Sequence, residues 1–244
     1  MEKLVILGGG ESGVGAAILA KDKSYEVFLS DFSSIKPQFK TKLNSEGIEF
    51  EEGGHTHSKL ESADLIVKSP GISDDLLVIQ NLRKKGIKII SEIEFASWFT
   101  DAKLVGITGS NGKTTVTNMV FHILKNAGLS VSMAGNVGFS FAEQVARKSV
   151  HNYVLELSSF QLDGIESFRP HIAILTSITP DHLDRYHHNF KEYIQAKFKL
   201  TKNQTEEDYL IYNKDDLVIV NWLKKNPVKA QLVPFTMETA VEDF

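Results

Sequence analysis

The sequence predicts an α/β protein made of two units, each a parallel sheet carrying helices. Three observations lead there. Short apolar runs alternate with stretches of helical periodicity, the order that gives parallel strands joined by crossovers. A glycine-rich loop sits between strand and helix near the start of two separate successions, at residue 8 and again at residue 106. The length of 244 residues exceeds one ordinary domain of roughly 150 residues.

The elements follow in order. Leu4–Leu7 is a short, fully apolar strand, and Tyr25–Leu29 reads as a second. Asp64–Val67 and Lys88–Ile90 read as two more. Helices fit between them at Val14–Lys21, Ile35–Glu46 and Asp75–Lys85, so a first unit covers residues 1–92. The pattern then restarts at 93 and runs to 244. Leu104–Thr108 is its first strand. The helix that follows presents Val116, Met119, Val120, Ile123, Leu124 and Ala127 on one apolar face, and Gly128 stands where a helix ends. Tyr153–Leu157, His171–Leu175, Tyr209–Tyr212 and Gln231–Phe235 are further strands.

Composition removes several classes. The sequence holds no cysteine, which excludes disulfides, thiolate metal sites and cysteine nucleophiles. A net charge of −4 supplies no basic field for nucleic acid. No apolar run approaches a membrane span, and the N-terminal run is cut by three glycines before it could serve as a signal core. The expectation is a cytoplasmic monomer without nucleic-acid or membrane partners.

The second glycine loop carries the strongest chemistry. Gly109-Ser110-Asn111-Gly112-Lys113-Thr114-Thr115 lies between a strand and an amphipathic helix. Glycines let backbone N–H groups wrap a phosphate, and the helix N-terminus adds a positive dipole. Lys113 is expected to reach the β/γ-phosphates of ATP and Thr114 to bind Mg²⁺. The loop departs from the commoner phosphate-loop pattern at Ile107, where that pattern has glycine. The first loop, Gly8-x-Gly10-x-x-Gly13, fits a dinucleotide fingerprint, with Asp31 eighteen residues beyond Gly13. On these residues alone NAD and other nucleotides stand level.

An ordered set of motifs resembles the Mur ligase family, ATP-dependent amino-acid ligases of peptidoglycan precursor synthesis. The Gly109–Thr114 form is one member of the set. Gly135-Asn136-Val137-Gly138, Asp181-His182-Leu183-Asp184, Ala196-Lys197, Asn213-Lys214-Asp215-Asp216 and Ser69-Pro70-Gly71-Ile72 complete it. Glu156-Leu157-Ser158-Ser159-Phe160-Gln161-Leu162 is similar to the segment of the branch that adds D-glutamate.

The resemblance implies a Rossmann-like first domain that holds the UDP part of UDP-N-acetylmuramoyl-L-alanine, followed by an incomplete P-loop ATPase-type central domain. Gly10, Glu11, Ser12 and Gly13 would meet the diphosphate. Asp31, Phe32 and Ser33 would lie near uridine, although Phe32-Ser33 presents no polar code for it. Ser69, Pro70 and Gly71 would form a third wall. Asn136, Ser158 and Gln161 would contact the substrate from the central domain. The resemblance further implies two Mg²⁺ ions held by Thr114, Glu156, His182 and a carbamylated Lys197, with Lys113, His182 and Lys197 as catalytic groups. The residues alone leave blander readings open: Glu156 as a surface carboxylate, the 181–185 segment as a solvated turn, Lys197 as a helix-surface lysine. His55-x-His57 and the His187-His188 pair receive no role.

Family members carry a third, C-terminal domain for the incoming amino acid, and this chain stops at Phe244. The expectation is therefore a fragment that binds substrate without ligating D-glutamate on its own. Three other readings stay in view: another amino-acid ligase of the family, a non-catalytic nucleotide-binding module, and an NAD-dependent oxidoreductase, which leaves the second loop unexplained.

Overall fold

The computed structural model describes residues 1–237. They form two compact units. The first takes in Met1–Thr100, Phe139–Ser149 and Gly164–Glu166; the second takes in Asp101–Gly138, Val150–Asp163 and the chain from Ser167.

The first unit runs β1 (Lys3–Leu7), α1 (Glu11–Asp22), β2 (Glu26–Asp31), α2 (Pro37–Ser45), β3 (Glu49–Glu52), α3 (His57–Glu61), β4 (Leu65–Lys68), α4 (Leu77–Lys84), β5 (Lys88–Ser91) and α5 (Glu92–Ser97). Its strands are all parallel in the order β3-β2-β1-β4-β5, with Leu4 opposite Val27 on one side and Leu65 on the other. The order reverses at β1, and open parallel sheets bind ligands at such a reversal, outside the carboxyl ends of the strands. Val5, Leu7, Leu60, Ile66, Ile79 and Leu82 form part of its core.

The second unit begins with β6 (Lys103–Thr108), α6 (Lys113–Asn126) and β7 (Val131–Gly135). The chain then gives α7 (Phe141–Arg147) to the first unit. It returns as β8 (Asn152–Glu156), α8 (Ser159–Asp163), β9 (Ile172–Leu175), α9 (Phe190–Phe198), β10 (Tyr209–Asn213), α10 (Leu217–Lys225) and β11 (Gln231–Phe235). This sheet is also parallel, in the order β11-β10-β9-β6-β8-β7.

The structure departs from the sequence reading in three places. The units part between Thr100 and Asp101 rather than after residue 92. Helix α5 packs with α1 and α7, and α1 permits the close approach because a Cβ on Gly15 would lie 1.9 Å from Ser140 Oγ. Strands β3 and β7 are additional. The Glu-Phe-Glu-Glu segment of β3 lacks an apolar run because it is an edge strand, where charge is tolerated. The packed face of α6 is rotated from the apolar stripe. Thr117 is fully buried and Val116, Val120, Phe121 and Leu124 pack inward, whereas Met119 and Ile123 are more than half exposed. Gly128 does end this helix region, at φ +77°.

Candidate active site

The phosphate loop connects β6 to α6. Gly109 and Gly112 adopt φ of +150° and +81°, and a Cβ on Gly109 would lie 2.0 Å from Thr176 Oγ1. Only glycine meets both demands. The loop is tied to the segment after β9: Ser110 N donates to Ser177 O (2.7 Å), Ser110 Oγ to Thr179 O (2.9 Å), and Thr176 Oγ1 to Asn111 O (2.6 Å). Thr114 and Thr115 open α6 with exposed side chains, and the first amides of a helix have no intrahelical acceptor. The result is a preformed cradle of N–H groups for an anion.

Lys113 curls back over this cradle. Its Nζ donates to Gly109 O and Ser110 O, both at 2.9 Å. Lys197, from α9, donates to the same Gly109 carbonyl at 2.8 Å and lies 4.5 Å from the centre of the Tyr193 ring. Lys197 is buried, so it is no helix-surface lysine. Burial, with the nearby Lys113 charge, brings its ammonium down to about 7 against the opposing pull of Asp181. A large neutral fraction near neutral pH follows.

Glu156 closes β8, whose register sets Glu156 opposite Ile107 and, on the other side, Gly135. The carboxylate therefore stands two residues short of Gly109, where the phosphate loop leaves the neighbouring strand. It is 1% exposed, which excludes the surface reading. Oε1 accepts from Asn136 Nδ2 at 2.8 Å, and Oε2 is buried with no hydrogen-bond partner among the described residues. A buried carboxylate oxygen without a donor is costly. A divalent cation would satisfy it, and Mg²⁺ commonly takes one or two protein oxygens with phosphates and waters filling the rest. Among the described residues no group of three or more His, Asp or Glu side chains is placed to hold a metal ion.

His182 is exposed, in the left-handed region at φ +49°. Its ring centre lies 5.4 Å from that of Phe160, and its Nε2 lies 3.5 Å from Asp181 Oδ2. No contact joins it to Lys197 or Glu156 among the described residues. Ser158 and Gln161 bind one another: Gln161 Oε1 accepts from Ser158 N (2.9 Å) and Oγ (3.1 Å). Asp216 caps α10 and also accepts from Ile178 N at 2.7 Å, a tie that the Asn213–Asp216 motif did not reveal in sequence.

In the first unit the loop between β1 and α1 begins with Gly8 at φ +98° and leaves no room for a side chain at Gly13, where a Cβ would lie 1.8 Å from Gly8 O. Gly10 caps α1, and Glu11 and Ser12 open its first turn. Asp31 receives Gly9 N (2.5 Å) and Ser33 N (2.7 Å). Ser69 N donates to Leu7 O, bringing the Ser69-Pro70-Gly71 segment beside Gly8. These segments border a cleft of about 590 Å³ lined by Gly8, Asp31, Phe32, Ser33, His55, His57 and an apolar wall including Ile72 and Leu77. Of the predicted residues, Asp31, Phe32 and Ser33 line this cleft with Gly8, whereas Gly10, Glu11, Ser12, Gly13, Ser69, Pro70 and Gly71 are not among its lining residues. His55, assigned no role from sequence, lines it as well.

Two parallel-sheet units, one with a glycine-loop cleft at its reversal point and one with a phosphate cradle beside a buried carboxylate, define a nucleotide-binding α/β protein. The Mur ligase middle domain matches residues 107–244 and the MurD N-terminal domain residues 3–78. The chain belongs to the Mur ligase family. It is 57% identical to a UDP-N-acetylmuramoylalanine--D-glutamate ligase of Christiangramia forsetii over 99% of this chain and 54% of that protein. A ligase of the same description from Bacteroides fragilis is 55% identical over 97% of this chain and 53% of its own length. The chain therefore spans about half the length of the curated relatives it matches. Among solved structures, a UDP-N-acetylmuramate:L-alanyl-gamma-D-glutamyl-meso-diaminopimelate ligase from Neisseria meningitides superposes with TM-score 0.69 at 22% identity, covering 98% of this chain and 78% of that one. The UDP-N-acetylmuramate-alanine ligase MurC of Thermotoga maritima gives 0.61 at 22% identity, covering 98% and 53%. These two likenesses concern the fold.

Proposed function

We propose that these two units are the sugar-nucleotide and ATP modules of a ligase that adds D-glutamate to UDP-N-acetylmuramoyl-L-alanine. The unpartnered Glu156 oxygen beside the phosphate loop carries this reading. It supplies a cation position next to an anion cradle, the pairing that phosphoryl transfer needs.

Joining a carboxylate to an amine requires activation. In the proposed reaction the substrate carboxylate attacks the γ-phosphorus of ATP, ADP leaves, and the acyl phosphate is then attacked by the amine of D-glutamate with loss of phosphate. Within the 109–115 loop, the amides that open α6 hold the β- and γ-phosphates, since Ser110 N and Asn111 N are spent on Ser177. Lys113 exchanges its contacts with Gly109 O and Ser110 O for phosphate oxygens, neutralising charge. Thr114 and Glu156 would hold Mg²⁺, which offsets phosphate charge when bound. His182 would serve a second ion, together with Lys197. The neutral Lys197 amine can take up CO₂, forming an N–C bond and releasing a proton to give a carbamate. In the first unit the Gly10–Gly13 loop takes the diphosphate, and the cleft beside Asp31 and Phe32 takes the base, with Ser69, Pro70 and Gly71 as its wall. Asn136, Ser158 and Gln161 are assigned to the substrate from the second unit. No group of either unit is assigned to D-glutamate. Among the described residues no helix is long and apolar enough to cross a membrane; the proposed location is the cytoplasm, where the nucleotide substrates are.

The test is phosphate release from ATP in the presence of UDP-N-acetylmuramoyl-L-alanine and a panel of amino acids, using the protein extended to the length of its relatives. Release dependent on D-glutamate is expected. Release dependent on another amino acid would transfer the protein to a different branch, and no release with any amino acid would contradict the ligase assignment.

A further inference from the structure

We infer that His55 is the base-reading residue of the first unit: held as the Nδ1–H tautomer, it offers a bare Nε2 to the N3–H of uracil and so selects uridine over cytidine nucleotides. The inference rests on the proposal that this cleft takes the nucleotide end of the substrate.

Ser30 is fully buried beneath the cleft. Its hydroxyl lies 2.7 Å from Glu51 Oε1 and 2.6 Å from His55 Nδ1. Glu51 also accepts from Thr56 N (2.8 Å) and Thr56 Oγ1 (2.6 Å). Burial raises the Glu51 carboxyl, but the hydrogen bonds from Thr56 and Ser30 and the Lys59 charge outweigh this and hold it below its ordinary value. Glu51 is therefore an ionised acceptor. The single Ser30 proton goes to Glu51, and His55 Nδ1 must donate to the Ser30 oxygen. A neutral imidazole protonated at Nδ1 carries a lone pair at Nε2.

That second nitrogen lies on the opposite edge of a ring that lines the cleft and has no other hydrogen-bond partner among the described residues. Burial, with the nearby His57, lowers the His55 pKa against the opposing Glu51 and Asp31 charges and so favours the neutral ring. Phe32 stands alongside, its ring centre 5.9 Å from that of His55, and its exposed face extends the apolar wall against which a flat base can lie. Uracil presents a donor at N3 between two carbonyls. Cytosine presents an acceptor there, which would face the Nε2 lone pair. The polar code missing from Phe32-Ser33 is thus supplied from the loop between β3 and α3.

The experiment is calorimetric titration of the chain with uridine diphosphate and cytidine diphosphate, together with ¹⁵N shifts of the His55 ring. Uridine diphosphate is expected to bind at least about tenfold more tightly, the effect of leaving one buried polar pair unmatched. His55→Phe, which keeps the ring and removes the acceptor, should collapse the preference. Ser30→Ala, which leaves His55 but frees its tautomer, should reduce it. The ¹⁵N spectrum should show Nε2 unprotonated. Equal affinities in the unaltered chain, a preference that survives His55→Phe, or an Nε2–H tautomer would overturn the inference while the cleft remains a nucleotide site. If neither nucleotide binds, the reading of the cleft fails and takes the inference with it.

Discussion

Glu92 is a carboxyl placed where charge is expensive. It is 2% exposed, and its Oε1 accepts from Ser140 Oγ and Ala142 N, both at 2.6 Å, anchoring the first turn of α7 within the first unit. Burial dominates, and despite these donors the group is raised from 4.5 to about 7. Between those values the folded chain binds a proton that the unfolded chain has released, so stability falls as pH rises through this window and levels off above it. At about 1.4 kcal/mol for each pH unit, the shift amounts to about 3 kcal/mol. Glu92→Gln keeps a carbonyl oxygen for Ser140 and Ala142 and carries no charge at any pH. Urea unfolding near pH 5 and pH 8 checks the reasoning. The unaltered chain should lose about 2–3 kcal/mol relative to the variant on going to the higher pH, since pH 5 already lies inside the window, and Glu92→Gln should be the more stable of the two there. An unchanged pH dependence in the variant, or a variant less stable at pH 8, would refute it.

Further outcomes follow from the second unit. Glu156→Gln keeps the Asn136 contact but removes the ionised oxygen; Mg²⁺-dependent affinity for an ATP analogue should fall at least about tenfold in calorimetry, with thermal stability retained or raised. Gly109→Ala forces a Cβ against Thr176 Oγ1 at 2.0 Å in a φ +150° conformation; unfolding should show a loss of about 2–4 kcal/mol, and nucleotide binding should disappear. Lys197, with its amine near 7, should give a carbamate carbon signal in ¹³C-bicarbonate at mildly alkaline pH. That signal should vanish in Lys197→Arg, whose guanidinium stays protonated.

Most of what organises the two sites was legible because it depends on local patterns. Gly109, Gly112 and Gly13 stand where a backbone must turn or a helix must come close, and sequence spacing reports that directly. Apolar strands buried on both faces, such as Leu4–Leu7 and Tyr153–Leu155, read as unbroken runs. What was hidden depends on partners distant in the chain. Beyond Tyr193 on its own helix, the environment that buries Lys197 is made by Gly109 and Lys113, more than eighty residues away. His55 looked like a loop histidine because Ser30 and Glu51, which orient it, come from two strands. The departure of α7 to the first unit turns on Glu92 meeting Ser140 and Ala142, about fifty residues away in sequence. The rotation of α6 follows from the burial of Thr117, a polar residue that hydrophobic periodicity passes over.

In the proposed function the first unit holds a uridine sugar nucleotide rather than a dinucleotide. Calorimetric titration of the chain with UDP-N-acetylmuramoyl-L-alanine, with NAD as the parallel ligand, tests it most directly. Saturable binding of the sugar nucleotide and none of NAD is expected; binding of NAD without the sugar nucleotide would contradict the proposed function.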